Sequence, residues 1–169
     1  MHTTTGVVAS NPSRRRTSAP PQPGARLLLV GDGPDRSRLE RVADQVDVRE
    51  AVVFTGGVPW EEVPAYIDAG DVFAMPCRTR LLGLEPEAWG IVFQEAQACG
   101  LPVVVGRSGG APETVVPGRG RLVSGVAETA VAVAGLLCGG RTREALPPDV
   151  AEAMSWHRAG RVLDALWAE

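Results

Sequence analysis

Two glutamates separated by seven residues mark the stretch whose residue types could do chemistry. Glu87 lies in a glycine-containing loop, Glu95 lies in the segment that follows, and Gly90 stands between them. We predict that a helix begins at Gly90, so that the N–H groups of Ile91 and Val92 can face an anion such as a phosphate. Glu95, one turn into that helix, could accept hydrogen bonds from vicinal hydroxyls such as those of a ribose. Glu87 could reach a second polyol.

Each glutamate also has a purely structural interpretation. An acid near the N-terminal end of a helix stabilises that helix by about 0.3–1 kcal/mol through the helix dipole. Taken singly, either glutamate is more often structural than functional. The loop around Glu87 is long for a strand-to-helix connection, and such loops at the edge of a sheet are more often functional than spacers.

Two further loops have the composition of ligand-binding turns. The loop GDGP at 31–34 contains Gly31 and Gly33, which allow either a close approach of the backbone to a ligand or a plain tight turn. A dinucleotide-binding fingerprint would need glycine at position 36, where this sequence has Arg36. The loop GRSGGAPETV at 106–115 joins flexible glycines to a predicted helix start at Pro112.

Short apolar runs alternate with amphipathic stretches, which predicts an α/β fold: a Rossmann-like parallel sheet with helices on both faces. The predicted strands are 26–30, 52–54, 71–75, 102–105 and, more weakly, 121–123. The predicted helices are 35–46, 60–69, 91–99, 128–138 and 155–167. In such a sheet the loops lie together at the carboxyl ends of the strands, where ligands bind.

Composition excludes several classes of function. The 169 residues carry a net charge of −3, which argues against nucleic-acid binding. Three cysteines in no CxxC spacing argue against a disulfide framework or a zinc site. The N-terminus has no apolar signal region, so we expect a cytoplasmic protein. Residues 1–25 are rich in Thr, Ser, Pro and Arg, and we predict a disordered arm there and one domain at 26–169.

The sequence resembles a known family over residues 26–116. The segments that match, in order, are LLLVGDGP, VVFTGGV, DVFAMPCRTR, EAWGIVFQEAQACGLPVVVG and SGGAPETV, and SWHRAGRVLDALW resembles the terminal helix of that family. They are similar to the C-terminal, nucleotide-binding half of GT-B glycosyltransferases of family 4. Within it, the combination of MPCRTR, GLEPEAWG and SGGAPETV is most similar to GDP-mannose-dependent mannosyltransferases that act on phosphatidylinositol mannosides.

The resemblance implies a retaining transfer of a hexose from a nucleoside diphosphate sugar, here GDP-mannose, with neither cofactor nor metal. Glu87 would be the catalytic residue that contacts the sugar, Glu95 would hold the ribose hydroxyls, and the backbone of Val58 would meet the base. In the mechanism favoured for the family, the leaving phosphate helps to deprotonate the acceptor. The remaining donor-binding residues would be Gly31, Gly33, Arg78, Gly90, Ile91 and Val92.

The resemblance also implies partners. The acceptor would be a lipid or glycan, which places the protein in the cytoplasm or at the inner face of the plasma membrane. In the family, an N-terminal half binds the acceptor and forms the other wall of the cleft. We expect that half to be missing here, or to be supplied by a partner chain.

Two features depart from the family pattern. Ala88 replaces a glycine after the first glutamate, which strains the loop by roughly 1–2 kcal/mol if the position needs a positive φ. The family also has an arginine and a lysine that grip the diphosphate from a loop after its first strand. Here that region reads VVASNPSRRRTSAPPQPGA. Arg14–Arg16 could substitute for them, although a solvated arginine run on a flexible arm is the better interpretation.

Three hypotheses therefore stay open. The chain could be the donor-binding half of a mannosyltransferase, truncated or separately expressed and inactive alone. It could be a non-catalytic nucleotide or nucleotide-sugar binding module that acts through a partner. It could also be a degenerate fragment that folds without useful binding.

Overall fold

The computed structural model describes residues 5–9, 24–79, 87, 89–139 and 143–153. The strands are β1 Thr5–Ala9, β2 Arg26–Val30, β3 Val52–Gly56, β4 Val72–Met75, β5 Val103–Gly106 and β6 Gly120–Val123. The helices are α1 Arg36–Gln45, α2 Val63–Asp68, α3 Ile91–Ala98, α4 Val126–Cys138 and α5 Pro148–Ala153. Short 3₁₀ turns cover Arg49–Ala51, Trp60–Glu62 and Ala111–Thr114.

The six strands form one sheet in the order β3-β2-β1-β4-β5-β6. The pairs β2–β3, β4–β5 and β5–β6 are parallel, whereas β1 runs antiparallel to both of its neighbours, β2 and β4. Five strands thus share one direction, as an α/β fold with a parallel sheet requires, and the fold class predicted from the sequence is confirmed.

The central strand β1 lies inside the segment that the sequence predicts to be a disordered arm, so that prediction is wrong for residues 5–9. The segment as a whole is poor in apolar residues, but TGVVA contains two β-branched valines that suit a strand. The strand also pairs main-chain groups of β2 and β4 that would otherwise lack partners at the centre of the sheet. Residues 1–4 and 10–23 lie outside the described residues, and the domain boundary at 26 stays a prediction.

Alternate residues of the parallel strands point to two cores, one on each face of the sheet. The first core joins α2 and α3 to the sheet through Ile67, Phe73, Met75, Phe93, Ala96, Val103 and Val105. The second joins α4 to the sheet through Val72, Val104, Val123, Ala132, Val133, Leu136 and Leu137. Helices therefore cover both faces, as the almost wholly apolar strand sequences predict.

The element bounds are close to the predicted ones. Strand β2 has the predicted bounds, and the other predicted strands differ by one or two residues at either end. The helix predicted at 60–69 begins as a 3₁₀ turn before α2, and α4 begins two residues earlier than predicted. Helix α5 was not predicted, and the helix predicted at 155–167 lies outside the described residues. Within the described ranges, no helix has both the length and the apolar character needed to cross a bilayer.

Candidate functional site

Parallel strands β2, β4 and β5 end at the same edge of the sheet, which we call the rim. The loops after these strands begin at residues 31, 76 and 107 and therefore meet at the rim. The strand order changes direction between β1 and β4, and in open α/β sheets the ligand crevice lies at such a switch point. The geometry of the sheet thus brings together the three loops that the sequence analysis selected.

The reversed direction of β1 changes what reaches the rim. Thr5 pairs with Val30 at the rim, whereas Ala9 pairs with Arg26 at the opposite edge. A five-residue strand is about 17 Å long. The chain therefore leaves Ala9 and enters Arg26 at the edge away from the rim. Residues 10–23 lie outside the described residues, so the interpretation of Arg14–Arg16 as a solvated run stays a prediction.

Gly90 forms the N-terminal cap of α3 in a left-handed conformation, with φ 67° and ψ 50°. A Cβ atom here would lie 2.6 Å from Cδ2 of the buried Phe93, so the position has room for glycine alone. Among the described residues, no side chain caps the helix. The N–H groups of Ile91 and Val92, in the first turn, have no acceptor inside the helix. The first turn of α3 therefore has main-chain donors without helical acceptors where the sequence predicts an anion site, and anion binding there stays a prediction.

Glu95 has an unpaired, buried carboxylate oxygen. The side chain is half-buried, and its Oε2 atom is shielded from solvent without any hydrogen-bond partner in the described structure. Burial raises the pKa of Glu95 above its ordinary value. Leaving a buried acceptor unpaired costs about 1–3 kcal/mol, and such groups are uncommon in folded proteins. An oxygen of this kind, one turn into α3, is a candidate acceptor for ligand hydroxyls.

The main chain of Glu87 is hydrogen-bonded to the loop after β5. Its N–H group donates to Oγ of Ser108 at 3.0 Å, and its C=O group accepts from the N–H of Gly110 at 3.0 Å. Burial, and then the negative charge of Glu87, raise the pKa of the Cys77 thiol, which places the carboxylate near the end of β4. The loops after β4 and β5 therefore meet at Glu87, as expected if they share a ligand.

The GDGP loop is held to the turn after β3. Gly31, at φ 120°, donates its N–H to the C=O of Gly56 at 3.0 Å. The N–H of Gly33 donates to Oδ1 of Asp32 at 2.8 Å, and its C=O accepts from the N–H of Arg36 at 3.1 Å. These bonds account for both glycines as parts of a tight turn, one of the two interpretations left open. Donor binding by Gly31 and Gly33 stays a prediction.

The other predicted site residues have fewer contacts. Val58 is half-buried two residues after β3, and Arg78 is exposed two residues after Pro76 at the end of β4. Ala88 lies outside the described residues, so the strain expected there stays a prediction. Within the described ranges, no group of three or more His, Cys, Asp or Glu residues could hold a metal ion. An apolar groove of about 570 Å³ between β6 and α4 contains none of the predicted site residues.

The sequence analysis missed a buried glutamine that braces α3. Nε2 of Gln97 donates to the C=O groups of Phe93 at 2.9 Å and Thr114 at 2.8 Å, and Oε1 accepts from the N–H of Val116 at 2.8 Å. The side chain is fully buried. A polar residue four positions after Phe93, on the same helix face, was the available signal.

Comparison with known proteins decides the family. The model of the family "Glycosyl transferases group 1" matches residues 14–146, which is more than half of the chain. The chain belongs to this glycosyl transferase family. Its α/β fold matches one part of the GT-B glycosyltransferase structures, as the resemblance to one half of that fold predicts, and the predicted family is confirmed.

Curated relatives of this group 1 glycosyl transferase include two mycobacterial enzymes with the same name, "GDP-mannose-dependent alpha-(1-6)-phosphatidylinositol monomannoside mannosyltransferase". The protein of Mycolicibacterium smegmatis is 54% identical over 113 residues, which are 66% of this chain and 30% of that protein. The protein of Mycobacterium tuberculosis is 48% identical over 134 residues, which are 78% of this chain and 34% of that protein. The chain thus spans about a third of the length of these relatives.

Solved structures agree with the family. A sucrose-phosphate synthase from Thermosynechococcus elongatus superposes with a TM-score of 0.64 at 28% identity, over 83% of this chain and 38% of that chain. The HepE protein of Anabaena, in complex with UDP and glucose, superposes with a TM-score of 0.55 at 29% identity, over 68% of this chain and 31% of that chain. Both proteins share the α/β architecture described above.

Proposed function

We propose that this group 1 glycosyl transferase chain is the donor-binding domain of a retaining mannosyltransferase that uses GDP-mannose. Relatives at about half sequence identity are named for GDP-mannose and for a phosphatidylinositol mannoside acceptor. A structural neighbour holds UDP and glucose, which is the same class of ligand. We propose the same donor for this chain because the residues at its rim suit a nucleoside diphosphate sugar.

The observation that carries the proposal is the unpaired Oε2 atom of Glu95. Among the described residues, no group donates a hydrogen bond to this buried oxygen. A ribose diol would supply the missing hydrogen bonds, each worth about 1.5–3 kcal/mol when the acceptor is charged. The same helix begins at the uncapped Gly90, so one ligand with a phosphate close to a diol suits both groups. A nucleoside diphosphate sugar has this arrangement.

The remaining roles are proposed from the family resemblance, and the positions of these residues after β3, before α3 and at the rim support them. The N–H groups of Ile91 and Val92 and the positive end of the α3 dipole would hold the diphosphate. The Glu87 carboxylate would contact the sugar, and the main chain of Val58 would contact the base. Catalysis would then consist of positioning the donor and stabilising the charge that develops on the leaving phosphate, so no protein nucleophile is needed.

Transfer also needs an acceptor site. We propose that an acceptor-binding half supplies it, corresponding to the part of the relatives that this chain does not match. That half would belong to a longer chain or to a partner. A lipid acceptor would place the reaction at the inner face of the membrane. We expect the 169-residue chain alone to bind the donor without transferring mannose. Turnover of GDP-mannose by the isolated chain with a phosphatidylinositol mannoside acceptor would contradict this expectation.

Isothermal titration calorimetry tests the donor assignment. We expect GDP and GDP-mannose to bind and UDP-glucose to bind more weakly. Glu95→Gln should weaken both guanine ligands roughly 10- to 150-fold, which corresponds to the loss of about 1.5–3 kcal/mol. The control is Glu128→Gln, because the Glu128 carboxylate already accepts the N–H of Ser124 and Glu128 belongs to none of the three loops described above. Equal affinity of the Glu95 variant and the parent chain would refute the ribose assignment.

A further inference from the structure

A buried hydroxyl group holds the loop that carries Glu87. Ser108 is only 2% exposed, and its Oγ atom accepts the N–H of Glu87 at 3.0 Å. The same Oγ lies 3.0 Å from Oγ1 of Thr79, two residues after Cys77. Ser108 therefore connects the beginning of the loop after β4 with its later part at Glu87.

The position of this hydroxyl is itself well determined. The main-chain N–H of Ser108 donates to the C=O of Gly106 at 2.9 Å, and its C=O accepts from the N–H of Ala111 at 3.2 Å. Both polar groups of the Ser108 backbone are thus bonded within the turn after β5. A hydroxyl group has one donor and two acceptor sites, so one oxygen can serve Glu87 and Thr79 together.

The hydrogen bonds meet at a described residue that lies outside the helices and strands. Glu87 belongs to neither a helix nor a strand, and both of its main-chain polar groups are bonded to the loop after β5, at Ser108 and Gly110. A carboxylate acts on a sugar only if its own position is maintained, and here that position depends on these two bonds. One of the two comes from a side chain and can be removed by substitution.

We propose that Ser108 is a positioning residue for Glu87, whose main chain it fixes so that the carboxylate stays beside the donor sugar. This inference rests on the proposed donor function and adds a residue to it. The consequence is specific. Removal of the hydroxyl should affect the part of the binding energy that comes from the sugar and leave the part that comes from the nucleotide.

The experiment compares the affinities for GDP and GDP-mannose by calorimetry in the full chain. The dissociation constant for GDP divided by that for GDP-mannose measures the contribution of the sugar to binding. We expect Ser108→Ala to reduce this ratio at least threefold, to near unity, with the affinity for GDP unchanged within twofold. Thr79→Val should reduce the ratio less, because it leaves the bond between Ser108 and Glu87 in place.

The matched control is Thr114→Val, which removes another buried hydroxyl of the same loop region. Oγ1 of Thr114 donates to the C=O of Ala111 at 2.7 Å rather than contacting Glu87. We expect this variant to retain the parent ratio. If Ser108→Ala keeps the ratio, or weakens GDP and GDP-mannose equally, Ser108 has no positioning role and the inference is overturned.

A second measurement separates this inference from the proposed function. Amide hydrogen exchange, followed by NMR in the chain without ligand, should show faster exchange at Glu87 in Ser108→Ala than in the parent chain or in Thr114→Val. A parent chain that binds neither nucleotide would refute the donor function. Unchanged exchange at Glu87 would refute the contact on which the positioning role depends, whatever the chain binds.

Discussion

Replacement of Gly90 by alanine tests the geometry at the start of α3. The new Cβ atom would meet two atoms of the Phe93 ring, Cδ2 at 2.6 Å and Cε2 at 2.7 Å. Phe93 has no space to move away, because it is fully buried and packs edge-to-face on Phe73 with ring centroids 5.8 Å apart. The left-handed backbone adds about 1–2 kcal/mol of strain, and the forced overpacking adds about 1–3 kcal/mol. We expect Gly90→Ala to destabilise the chain by about 2–5 kcal/mol.

Urea denaturation measures this loss, with Gly118→Ala as the matched control. Gly118 also has a positive φ, 83°, but a Cβ atom there would meet no described atom within 4 Å. The control should therefore show the backbone strain alone, about 1–2 kcal/mol. Equal destabilisation by the two substitutions would refute the claim that Phe93 crowds Gly90.

A double variant isolates the contact between the two side chains. Phe93→Leu removes the ring atoms that Cβ of residue 90 would meet, at the expense of core packing. In a double-mutant cycle, Gly90→Ala should cost less in the Phe93→Leu background than in the parent chain, by about 1–3 kcal/mol. Strict additivity of the two substitutions would show that the loss arises elsewhere.

Three further predictions concern individual side chains. Because burial raises the pKa of Glu95 in the folded chain, ionisation of this group opposes folding. Glu95→Gln should therefore raise the urea midpoint at neutral pH, and this gain should fade as the pH falls towards the ordinary pKa of a glutamate. Gln97→Leu should lower the free energy of unfolding by about 2–4 kcal/mol in urea, since the C=O of Thr114 and the N–H of Val116 lose their partner. Arg143→Ala removes the ion pair with Asp68 and the hydrogen bond to the C=O of Gly70, and should lower the free energy of unfolding in urea by about 1 kcal/mol; an unchanged urea midpoint would contradict a contribution of these contacts to stability.

The central parallel strands could be predicted because they are buried on both faces. Strands β4 (VFAM) and β5 (VVVG) are almost wholly buried and apolar, and polar residues and turns follow each run. The family motif and the helix start at Gly90 could also be predicted from the sequence. The helix start could be predicted because a helix cap with a positive φ favours glycine. These features depend on short stretches of chain, and the structure confirms them.

Strand β1 and Gln97 could not be predicted in the same way. The valines of TGVVA become a strand only because β2 and β4 leave a gap between them, and that gap is a property of the assembled sheet. The partners of Gln97 in the turn after β5 lie 17 and 19 residues away in the chain. Both features depend on contacts between distant segments, which local patterns do not encode.

The site was predicted in part for the same reason. The spacing of Glu87 and Glu95 identified two carboxylates, but the lack of a donor to Oε2 of Glu95 among the described residues depends on which groups the neighbouring elements place around it. The bond between Ser108 and Glu87 likewise joins residues 21 positions apart. The motif identified the two glutamates from the sequence. The groups that hold them in place could be identified only in the folded structure.

The antiparallel central strand has a consequence for cooperativity. Its neighbours β2 and β4 each pair with β1 and have no ladder to each other, so the main-chain network of β2–β3 is joined to that of β4–β5–β6 only across residues 5–9 of the described sheet. The pairing to β4 involves just two residue pairs. If strand β1 frayed, the sheet would separate into a two-stranded unit, β2–β3, and a three-stranded unit, β4–β5–β6. The candidate crevice lies at the rim between these two units.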